Sequence, residues 1–93
     1  MQTPIKPDEL IAAAEALFEE LARSQEERVR RLAARLAPNL TEDDLLQPQD
    51  FPILRDNPTF NYEDGILAGI RSAHIAFRAR LLRPLRDGEG VKQ

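Results

Sequence analysis

Apolar residues recur along the first third of the chain in steps of three and four. Ile11, Ala14, Phe18, Leu21, Val29, Leu32 and Leu36 keep that spacing, with Gln25 as the one polar gap. At about 3.6 residues per turn, such a series lines one face of a helix. No Gly or Pro interrupts the stretch from Asp8 to Ala37, and Ala, Glu, Leu and Arg dominate it. These residues lose little side-chain freedom in a helical backbone. Thr3-Pro4 and Lys6-Pro7-Asp8-Glu9 place prolines where a helix can begin and acids in its first turn, and Pro38 stops it. The pattern predicts a helix over about 7–37.

A second apolar series, Ile66, Ile70, Ala73, Phe77 and Leu81, predicts a helix over about 61–83, opened by Tyr62-Glu63-Asp64 and closed by Pro84. Beside it runs a stripe of small residues: Gly65, Gly69, Ser72, Ala73 and Ala76. A glycine inside a helix costs about 1 kcal/mol relative to alanine. Two of them four residues apart therefore point to a compensating gain, most simply the close approach of another helix backbone. The last residues, 87–93, read as a flexible tail after a helical domain over 1–86.

The connection from Asn39 to Asn61 differs in kind. It holds Pro48, Pro52 and Pro58, and its charges are nearly all acidic. Thr41 is placed as an N-cap with Asp44 completing a capping box, which predicts a short helix over about 42–47 closed by Pro48. Asp50–Leu54 has room for one further turn. Phe51, Ile53, Leu54 and Phe60 are too apolar for a solvated linker. Two roles suit them: a docking surface for another protein, anchored by Phe51 and Phe60, or a packed crossover that covers the end of the helices.

Charge then decides how the two long helices pair. The first opens with Asp8, Glu9, Glu15, Glu19 and Glu20 and closes with Arg23, Arg28, Arg30, Arg31 and Arg35. The second opens with Glu63 and Asp64 and afterwards carries only arginines, Arg71, Arg78, Arg80 and Arg83. Each helix complements its own dipole. An antiparallel pair sets acids beside arginines at both ends, whereas a parallel pair sets like beside like.

The sequence predicts an all-α protein: a long antiparallel helical hairpin with a Pro-rich crossover. Two rods bury only their contact stripes, and Leu10, Leu17, Leu40, Leu45, Leu46, Leu67, Ile75 and Leu82 lie partly off that seam. Small domains have little stability to spare. A homodimer forming a four-helix bundle supplies the missing cover. The competing arrangement is a three-helix monomer with the crossover folded over the seam. In the dimer, Gly65, Gly69, Ala73 and Phe77 face Phe18, Leu21 and Leu32 along the interface.

Composition narrows the chemistry. The 93 residues include no cysteine, which removes disulfides, thiol nucleophiles and Cys-based zinc sites. Apolar runs are far shorter than the ~20 residues a membrane span needs, and no leader pattern opens the chain, so a cytoplasmic protein without membrane partners is expected. Thirteen Lys+Arg against sixteen Asp+Glu give a net charge of −3, and aromatics are 5% of the chain. Stripes through Arg28, Arg31 and Arg35, or Arg71, Arg78 and Arg80, could meet phosphates. The acidic balance and scarce stacking partners nonetheless disfavour nucleic acid.

For a divalent metal the candidates are Glu15, Glu19 and Glu20 on one helix and Glu63 and Asp64 on the other, as in all-α pyrophosphatases. The paired acid spacing of those enzymes is missing, and antiparallel packing separates the two groups within one chain. A metal-dependent hydrolase then requires carboxylates converging across a dimer. His74 is the sole histidine, with no ligand or orienting carboxylate near it in sequence, and is expected at the surface or an interface. No phosphate-binding glycine loop, catalytic triad or cofactor motif is present. The expected function is self-association and protein–protein interaction, as an adaptor, subunit or regulator, without a cofactor.

Overall fold

A computed structural model describes residues 6–82 of the chain; the cues at Thr3-Pro4, the stop at Pro84 and the 87–93 segment lie outside it. Helix α1 spans Pro7–Leu36. Pro7 stands at its first position, where a missing N–H costs nothing, and the Glu9 carboxylate accepts from the Lys6 backbone N–H at 3.3 Å. At the far end the Ala37 N–H returns to the Ala33 carbonyl at 2.8 Å before Pro38.

The expected reciprocal cap is present in the connection. The Asp44 carboxylate accepts from the Thr41 N–H at 2.9 Å, and the Thr41 hydroxyl accepts from the Asp44 N–H at 3.2 Å. The backbone beyond this cap is wound more tightly than the short helix expected over 42–47. There are 3₁₀ turns at Asp44–Leu46 and Pro48–Asp50, then a four-residue helix α2 at Pro52–Arg55. Pro48 and Pro52 each remove a donor and crowd the carbonyl four residues back, so a regular helix cannot run through either. Single turns fit between them.

Helix α3 spans Pro58–Phe77 and so starts three residues before the expected position. Its true cap is Asn57, whose side-chain oxygen accepts from the Phe60 N–H at 2.9 Å, with Pro58 as the first helical residue. Asn57→Ala is expected to lower stability by about 1 kcal/mol in chemical denaturation; an unchanged midpoint would show that the proline alone sets this start. Beyond Phe77 the backbone widens into a π-helical turn over Arg78–Leu82. The expected end at Arg83 lies outside the described residues.

The described residues contain no strand, and the fold is all-α. No described helix is long and apolar enough to cross a membrane. Contacts between α1 and α3 run in opposite order along the two helices, from Glu15 with Arg78 to Gln25 with Glu63, so the pair is antiparallel. The buried cluster sits where the connection closes the pair. Leu32, Ala33 and Ala37 from the end of α1 meet Leu54 of α2 and Phe60 of α3, with Val29, Leu36, Leu40 and Leu45 packed around them. Toward the opposite, open end of the pair no described side chain is fully buried. The core is therefore asymmetric, concentrated at one end of a long scaffold.

Candidate functional site

Three features along the α1–α3 pair are candidates for function. The first is the seam itself. Gln25, the gap in the apolar pattern of α1, donates from Nε2 to the Glu63 carboxylate at 2.7 Å and to the Glu63 backbone carbonyl at 2.9 Å. It is a polar clamp that fixes the register of the two helices. Gln25→Ala is expected to cost about 1–2 kcal/mol, because it leaves a half-buried carboxylate short of a donor. Urea denaturation measures this, and a loss below a few tenths would show that water replaces the amide without penalty.

Toward the open end the seam holds an aromatic and charged stack. The Phe18 ring lies flat against the His74 imidazole, with centroids 4.9 Å apart and planes 4° from parallel, and tilts against Phe77 at 5.3 Å. His74 Nε2 lies 2.9 Å from the Glu15 carboxylate, and Arg78 donates to the other Glu15 oxygen at 3.0 Å. His74 is thus not a surface residue: its side chain is 17% exposed, inside the chain's own seam. Its carboxylate partner comes from the other helix, fifty-nine residues away, which no local spacing could reveal. The stack works as a pin between the two helices.

The second feature is an open groove of about 430 Å³ between α1, α3 and the connection. Its floor includes Val29, Leu45, Phe60 and Leu67, and Glu26, Arg30, Glu42, Asp64 and Arg71 stand around it. Both signs of charge ring the groove, so it favours no single class of ion. Arg71 donates to Glu26 at 3.2 Å and Arg30 to Glu27 at 2.7 Å.

The metal candidates do not converge. Glu15 is engaged with His74 and Arg78, and Glu63 with Gln25 and, at 3.9 Å, with Arg28. Glu19 and Glu20 are exposed on α1, and Asp64 borders the groove. Among the described residues no three His, Cys, Asp or Glu side chains are grouped to hold a metal ion. Of the arginine stripes, Arg28, Arg31, Arg71 and Arg78 each pair with an acid of the same chain. On α2, Arg55 donates to Asp56 at 3.1 Å, which raises the guanidinium pKa further; both groups are exposed and bear on no site.

The third feature is apolar. Leu32 is buried in the closed-end core, and Phe18 and Phe77 are half-buried on one another. Leu21, Gly65, Gly69 and Ala73 are exposed. A Cβ built at either glycine meets nothing within 4 Å, so among the described residues no helix backbone approaches them. Of the four apolar residues in the connection, Leu54 and Phe60 are core, Phe51 is half-buried and Ile53 stands 54% exposed.

Comparison of the chain with protein-family models, curated proteins and solved structures found no match.

Proposed function

We propose that this chain is a small non-catalytic helical protein that works by assembly. In this reading the antiparallel hairpin pairs with a second copy as a dimeric four-helix bundle, and the bundle serves as an adaptor, subunit or regulator of a protein partner. The observation that carries the reading is the mismatch between core and exposed surface. Only Leu32, Ala33, Ala37, Leu54, Phe60 and Leu67 are buried among the described apolar residues, whereas Leu10, Leu17, Leu46, Ile53, Tyr62 and Ile75 are each more than half exposed. Apolar surface left in water forfeits about 25 cal/mol per Å² that a partner recovers, and extended apolar patches mark interaction sites.

If assembly supplies part of the stability, the melting temperature must rise with protein concentration, because association draws on the folded state by mass action. A rise of several degrees over a hundredfold concentration range is expected. A constant melting temperature would remove the reading. The alternative, a metal-dependent hydrolase with carboxylates meeting across a dimer, predicts a higher melting temperature in millimolar Mg²⁺ or Mn²⁺; the engagement of Glu15 and Glu63 in pairs within the chain speaks for the assembly reading instead.

A further inference from the structure

No further inference is drawn: the strongest candidate, the open groove between α1, α3 and the connection, is ringed by charges of both signs, with Arg71 already paired to Glu26, and nothing in the structure shows what fills it.

Discussion

Leu54→Ala is expected to destabilise the chain by about 3–5 kcal/mol. Leu54 is 0% exposed and sits at the meeting point of α1, α2 and the start of α3, against Leu32, Ala33 and Phe60. Removing three carbons there loses their transfer free energy and leaves a cavity that turns pinned by Pro48 and Pro52 cannot readily close. The adjacent substitution provides the control. Ile53 is 54% exposed, so Ile53→Ala is expected to cost well under about 1 kcal/mol in the same urea titration. Equal costs at the two positions would mean that the connection does not dock as described.

Phe60→Ala is expected to cost a similar or larger amount, about 3–5 kcal/mol. The ring is 3% exposed, and it joins the closed-end core to the floor of the groove. Its backbone N–H is also the one held by the Asn57 cap, so a mobile residue 60 loosens the first turn of α3 as well as the core. Small domains have net stabilities of about 5–15 kcal/mol, so this variant is expected to lose a large share of its margin against unfolding. Hydrogen exchange should show protection lost first in the first turn of α3 and the last turn of α1. Retained protection there would mean that other side chains carry the closed end.

Much of this architecture is legible in residue spacing. The long run without Gly or Pro gives α1 within a residue at its end, because nothing in that run competes with the helix. The Thr41–Asp44 cap is equally local, since both partners lie within one turn. Two departures have local causes that carry weight only when read together. Asn57-Pro58 starts α3 earlier than the acidic turn at Glu63 suggests, and the closely spaced prolines hold the connection to single turns.

The seam is far harder to read, for a physical reason. Gln25 looks like a defect in an apolar stripe until Glu63 is placed opposite, and His74 looks solitary until Glu15 arrives from the other helix. Such pairs depend on the register of two helices, which sequence spacing within either one does not encode. The glycines show the converse. Their small-residue stripe points to a close neighbour, and among the described residues none is there. The charge pattern carries more long-range information than the apolar one, as the Glu15–Arg78, Glu26–Arg71 and Arg28–Glu63 pairs show. Exposed pairs add only about 0–1 kcal/mol each; they select the direction of packing rather than supply its energy.

Among the described residues the buried core occupies one end of the helix pair, while Leu10, Leu17, Leu46, Ile53, Tyr62 and Ile75 are each more than half exposed. Sedimentation equilibrium on the wild-type chain over a wide concentration range tests that account most directly. The expected result is a species of twice the 10.5 kDa chain mass, dissociating only on dilution. A single 10.5 kDa species at every concentration, with full helical content, would contradict it.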